Sequence, residues 1–286
     1  MYFLIAIYSW LLAKLPEIFA RMNAWVFGQC IWLLRRKIVL SNLEKAFPEK
    51  EKTWWKKIGK LSCQRTAEMS LFGIVSASLS ENELRERIKV GSSILTGSSQ
   101  LNNSEKGTVC FVPHFSLMEM MTVVKLLDPS LAKRNWVTLY RPLDLASAEN
   151  WIKKSRERFG MKLVSRREGF GRTMENVRQG GIACILFDQN TFQGIPLKFL
   201  NRTCAVTNLP GIITQRFQAD ARIFWAHRTG FWRCELNSFE LKSKDSTALT
   251  EESNAWLAEQ LQSSDDVCAD WLWAHNRWKS GDQFSY

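Results

Sequence analysis

The chain opens on two uncharged apolar runs, residues 1–13 and 22–34, split by a short segment that carries Lys14, Glu17 and Arg21. Neither run reaches the roughly 18 apolar residues needed to cross a bilayer. Nor is there the basic leader or small-residue cleavage site of a secretory signal. Trp10, Trp25 and Trp32, followed by Arg35, Arg36 and Lys37, predict helices that lie in or dip into the cytoplasmic leaflet, with rings at the boundary and cations at the headgroups. A hydrophobic helix packed on the core fits the same pattern. Ser41 or Asn42 is a candidate helix cap, and Pro48 ends the helical pattern after Phe47. A long helix is predicted over residues 53–77, with Ile58, Leu61, Ala67, Leu71 and Ile74 inward, and a charged helical pattern continues over 80–88.

From residue 108 the period changes. Residues 108–112 form an apolar run typical of a buried strand, and Pro113 stops it, delivering His114 where a helix can begin. Further strands are predicted at 136–140, 161–164, 182–187, 221–226 and 232–236, alternating with helices at 144–159, 173–179 and from Thr207 to about Gln218. The unbroken apolar run at 182–187 suits a strand covered on both faces. Gly180-Gly181 turns the chain before it, and Asp188-Gln189-Asn190 ends it. The tail, 248–279, reads as two amphipathic helices ending in W-L-W-A-H-N-R-W-K. The alternation predicts an α/β fold: a layered domain over residues 41–286, with a mostly β central sheet flanked by helices, preceded over residues 1–40 by N-terminal membrane-associated hydrophobic helices.

Composition narrows the partners. The 286 residues can bury one sizeable core, and no linker divides them. A net charge of +11 calls for a negative partner: anionic lipid headgroups, an acidic carrier protein or nucleic acid. No helix-turn-helix, RNP-like or zinc-finger pattern supports nucleic acid. The 13 Trp and 17 Phe are a heavy aromatic load, and several Trp sit where a ring meets a membrane interface. The 7 Cys occur singly and no His stands at metal-ligand spacing, so neither a disulfide framework nor a metal site is expected. Reduced thiols in a cytosolic compartment follow, and the sequons at Asn102 and Asn201 are read as coincidence.

The chemistry concentrates at V-P-H-F-S-L-M-E. His114 and Glu119 are five positions apart, which separates side chains on a regular helix, whereas three or four brings them together. His114 therefore belongs on the loop and Glu119 in the first helical turn. There the imidazole can take a proton from a hydroxyl while the carboxylate on its other nitrogen fixes the tautomer. Ser116 and Glu119 also make an S-x-x-E capping box, which would occupy the same carboxylate. In open α/β sheets ligands gather at the carboxyl ends of strands; His114, Arg141 and Asp188 all sit at such ends, and an arginine there suits a phosphate or an oxyanion. Arg156, Arg158, Arg166, Arg167 and Arg172 follow; most read as a solvated basic face, with Arg156 kept beside Arg141 and Asp188 as a substrate-binding candidate. His227 reads as structural.

These residues resemble those of the late acyltransferases of lipid A biosynthesis, the lauroyl and myristoyl transferases of Gram-negative bacteria within the wider H-x4-D/E acyltransferases. The matching pieces are N-L-E-K-A-F-P-E at 42–49, H-F-S-L-M-E at 114–119, Y-R-P-L-D at 140–144, D-Q at 188–189 and W-L-W-A-H-N-R-W-K at 271–279. They stand in the family's order over nearly the whole chain. The resemblance implies an enzyme on the cytoplasmic face of the bacterial inner membrane that moves a fatty acyl chain from acyl carrier protein, or acyl-CoA, to a hydroxyl of a membrane glycolipid of the lipid A precursor type, with no further cofactor. It implies His114 as base, Glu119 as its partner, Arg141 and Asp188 as further site residues, and a packing or acceptor-contact role for His275. Asn190 stands where relatives often have Asp and Asn201 where Gly is expected; both bear on the acceptor more than on the reaction. A thiol leaves easily, so transfer from a thioester needs a base and an oxyanion donor but no protein nucleophile, and no G-x-S-x-G elbow is present. Related transfer to a lysophospholipid or aminolipid, and a non-catalytic basic membrane-binding protein, are the competing readings.

Overall fold

The computed structural model describes residues 1–94, 106–115, 117–165 and 169–280. Three long helical segments come first: α1 (Tyr2–Lys14), α2 (Glu17–Ala46) and α3 (Lys52–Val75). Pro16, whose fixed φ suits a helix start, is the N-cap of α2, and α2 ends before Phe47 and Pro48 as predicted. Ser41 and Asn42 are no cap, because α2 runs unbroken through them. Asn42 is buried, and its Nδ2 donates to the carbonyls of Trp273 (2.9 Å) and His275 (2.6 Å).

The rest is built on a seven-stranded sheet in the order β1-β9-β8-β2-β5-β3-β4. Its strands are β1 (Ile88–Val90), β2 (Thr108–Val112), β3 (Trp136–Tyr140), β4 (Met161–Ser165), β5 (Ile182–Leu186), β8 (Asp220–Gly230) and β9 (Arg233–Glu240). All neighbours run parallel except β8 and β9, which form an antiparallel hairpin. Helices cover both faces, so β2 is buried along its whole length, as a central parallel strand must be. Alternation then sorts side chains into two cores: Val109, Phe111, Ala183 and Ile185 on one face, Cys110, Val112, Ile182 and Cys184 on the other.

Three features depart from expectation. β6 (Asn190–Phe199) and β7 (Arg202–Val206) form a separate two-stranded hairpin that the sequence pattern does not announce. Gly194 and Pro196 interrupt it, and most of β6 is only partly buried. β1 is three residues long, too short for any period to register. In the tail, the Ser246–Ser263 and Asp265–Asp270 helices are present, but Trp271 onward leaves the helix as a turn-rich strap.

The first 34 residues look unlike the rest. Of the 22 large apolar side chains that stand exposed among the described residues, 16 lie there, including Phe3, Leu4, Trp10 and Trp25. Trp32, expected at the same boundary, instead turns inward and is 9% exposed. Among the described residues no helix is long and apolar enough to cross a membrane.

Candidate active site

Register creates the central pair. In the parallel ladder between β2 and β5, Val112 is the partner of Leu186. Each strand then runs on by two residues, which sets His114 opposite Asp188. The Asp188 carboxylate accepts the His114 backbone N–H (2.8 Å) through Oδ2 and lies 2.5 Å from the ring Nδ1 through Oδ1. A third donor, the indole Nε1–H of Trp271, reaches Oδ2 at 2.6 Å. Burial alone would raise the Asp188 pKa, but the adjoining imidazole and these donors hold it down at about 2. An ionised Asp188 fixes the tautomer: the proton sits on Nδ1, and the Nε2 lone pair of His114 has no hydrogen-bond partner among the described residues.

The strap from Trp271 closes over this pair. Trp271 bridges to Phe115 next to the histidine, and its carbonyl accepts from Ser62 Oγ of α3 at 2.6 Å. Arg35 and Asn42 of α2 hold the carbonyls of residues 273–275. His275 accepts the Asn190 N–H at Nε2 (2.9 Å), and burial, then the nearby His114, pull its pKa down to about 4 against Asp188. It is therefore a neutral acceptor near neutral pH.

Glu119 is not the partner of His114, and no hydrogen bond joins the two among the described residues. The expected pairing fails because the turn after β2 winds as a 3-10 helix, Met118–Val123, and aims Glu119 toward the Ala146–Glu157 helix. Arg156 on that helix takes the carboxylate in a fork, Nε to Oε2 at 2.8 Å and Nη2 to Oε1 at 2.5 Å. The alternative use of Glu119, in a capping box with Ser116, rests on a residue outside those described. Glu119 is 8% exposed, and the fork matches two planar groups as such pairs prefer.

The ion pair lies between two apolar spaces. On one side, a groove opens among Ile5 of α1, Met69 and Ile74 of α3, and Trp151. On the other, a narrow slot runs over the sheet among Val112, Thr138, Met161 and Cys184. Met118, Glu119 and Arg156 line both. His114 is 7% exposed, and its chain neighbours Val112 and Met118 form part of these walls.

Arg141 stays apart. Its loop is tied down by Tyr140 and the Leu143 N–H, both donating to Glu149 (2.5 and 2.8 Å), while the Arg141 side chain is 81% exposed and 4.0 Å from Asp144. His227, on β8, is exposed. Arg166 and Arg167 lie outside the described residues, as does Asn102. Among the described residues no three His, Cys, Asp or Glu side chains converge as a metal site. Trp271 was visible in the sequence only as part of an aromatic run; nothing in its spacing marked it as a donor to Asp188.

A family model described as bacterial lipid A biosynthesis acyltransferase matches residues 1–280 of the chain. No curated protein matches it.

Proposed function

The chain belongs to the bacterial lipid A biosynthesis acyltransferases and is an acyltransferase; from that premise we propose that it moves a fatty acyl chain from acyl carrier protein to a hydroxyl of a lipid A precursor-type glycolipid, with His114 as general base. The observation that carries this reading is the His114–Asp188 pair, a tautomer-fixed imidazole at a strand end, on a segment whose Val112 and Met118 line apolar space. Nε2 takes the proton of the acceptor hydroxyl as its oxygen attacks the thioester carbonyl. The imidazolium that forms is held by Asp188, and the thiolate leaves without any enzyme-bound acyl intermediate. Arg156 faces the carbonyl oxygen as charge develops there. Glu119 acts through Arg156, keeping the guanidinium in place, and the acyl chain lies in the slot.

The N-terminal helices support a membrane location. Covering a large apolar side chain is worth roughly 2 kcal/mol, so a face of that kind favours hydrocarbon over water. Residues 1–40 lie on the cytoplasmic face of the bacterial inner membrane, α1 and the first half of α2 in the interface, with Arg35, Arg36 and Lys37 exposed toward anionic headgroups. The groove lined by Ile5 then opens at the bilayer, where the glycolipid acceptor resides.

The test is mass spectrometry of products from purified full-length protein in micelles, supplied with acyl carrier protein loaded with lauroyl or myristoyl chains and a glycolipid of the lipid A precursor type. A new ester on the glycolipid is the expected product. Transfer only from acyl-CoA, or only to a lysophospholipid, would replace the donor or the acceptor in this account.

A further inference from the structure

The carboxyl edge of the sheet holds a second cleft, which shares Leu139 and Leu186 with the acyl slot at the edge but otherwise opens on the other face of the sheet. Strand alternation sets the two apart: Ile185 points into this cleft, while Cys184 points into the slot. It starts at Gln189, the residue after Asp188, and is closed by the start of β6 and by the turn into the Leu209–Phe217 helix.

Among the described residues, none of those lining it carries a charge. Cations are what recognise phosphates and carboxylates, and a chain of net charge +11 places none here among the described residues. Six of the lining residues are polar and neutral. Three of those are engaged within the fold: Asn190 with Ser280, Asn208 with Thr250, and Thr207 with the Leu209 N–H. The side chains of Gln189, Thr191 and Gln193 have no partner among the described residues. Opposite them stand Phe170 and Ile212, 41% and 50% exposed, an apolar wall beside free amide and hydroxyl groups.

We propose that this cleft binds a neutral ligand portion rich in amides and hydroxyls, held by Gln189, Thr191 and Gln193 against Phe170 and Ile212. This rests on the transferase reading, which supplies two sources of that chemistry: the pantetheine arm of the thioester donor and the N-acylated amino sugar of the acceptor. Either one, bound here, presents its reacting atom to His114 from the side away from the acyl chain.

Saturation-transfer NMR on the full chain in micelles, with free pantetheine and N-acetylglucosamine as separate probes, reads occupancy without turnover. Ile212→Trp, which fills the cleft from a half-exposed position, and Gln189→Ala should each weaken at least one probe by about tenfold, the size of a lost neutral hydrogen bond or of steric exclusion. Loss toward pantetheine assigns the donor arm, and loss toward the sugar assigns the acceptor. In turnover, Ile212→Trp should raise the KM of the matching substrate about tenfold with kcat within about twofold. No binding of either probe to the wild type, or binding unchanged in both variants, overturns the assignment even if the enzyme transfers acyl chains. A wild type inactive on every acceptor overturns the reaction proposed above, while the NMR result still decides the cleft.

Discussion

Two buried carboxylates flank the segment between His114 and the following helical turn, and they are held in opposite ways. Asp188 meets a group that can lose its proton: the imidazole, with the Trp271 indole and a backbone N–H filling its remaining positions. Glu119 meets a guanidinium that stays charged at any working pH. The first arrangement suits proton transfer, since charge can appear on the ring and be met at once by its partner. The second keeps a fixed cation at the junction of two apolar spaces, where it can meet charge that develops on a substrate. The same side-chain chemistry thus suits two different jobs according to which cation the fold sets against it.

The sharpest way to break this contrast is at the pair itself. Removing the proposed base, His114→Ala, should lower kcat by about 10²–10⁴-fold, with the far-UV circular dichroism spectrum retained. Asp188→Asn keeps the shape and the Trp271 neighbour but no longer dictates the tautomer, and a loss of about 10³–10⁴-fold is expected, by analogy with other carboxylate-oriented histidines. It should also change the form of the pH–rate profile, because the imidazolium loses its counter-charge. Wild-type turnover in either variant would remove His114 from the reaction.

How much of this was readable beforehand differs between the two carboxylates. The strands that carry His114 and Asp188 are legible, since β2 and β5 are continuous apolar runs ended by a proline and by an acid. Their adjacency is not, because the Val112–Leu186 register is a relation between strands more than 70 positions apart that no local period encodes. The pattern sets Glu119 on the turn after β2, where it lies, but pairs it with His114, whereas the fold pairs it with Arg156. Spacing along one segment reports what a residue can reach in that segment, whereas Arg156 arrives from another helix. The same holds for Asn42, whose cap-like identity hides two long-range bonds to the strap, and for Trp32, whose pattern fits a membrane boundary as well as the core position it occupies. The β6–β7 hairpin went unread because a half-exposed strand broken by glycine and proline shows no clean alternation.

A smaller effect separates the second carboxylate from the first. Glu119→Gln keeps the length of the side chain but leaves Arg156 without its counter-charge. The expected result is a loss of about 2 kcal/mol in stability, since one partner of a largely buried pair is stranded, and about 10²-fold in kcat through a displaced oxyanion donor. The pH–rate profile should keep its wild-type form, unlike that of Asp188→Asn. Adding Arg156→Gln should return much of the stability without the activity, the signature of a pair coupled to each other. Should Glu119→Gln change the pH profile as Asp188→Asn does, at an unchanged melting temperature, the two carboxylates would share one role and the contrast would fail.

The smallest effect lies at the edge of the pair, in His275. Burial and the neighbouring His114 lower its pKa from 6.5 to about 4, with Arg277 and Arg35 adding to the shift and Asp188 opposing it. The unfolded chain therefore takes up a proton that the fold refuses between those values, so stability should fall as pH drops from about 6.5 to about 4 and be insensitive to this group above. Asp188 acts lower: its depressed pKa gives stability that is complete above about 4 and lost as pH falls toward about 2. His275 is partly buried, so screening reduces its contribution to about 1–2 kcal/mol. His275→Gln retains an acceptor for the Asn190 N–H while removing the titration. Its urea midpoint should vary less than that of the wild type between pH 6.5 and 4 and match it within about 0.5 kcal/mol at pH 8. If both proteins lose stability in parallel over that window, acid lability arises outside the strap, and the closed contact between His275 and Asn190 has no energetic weight of its own.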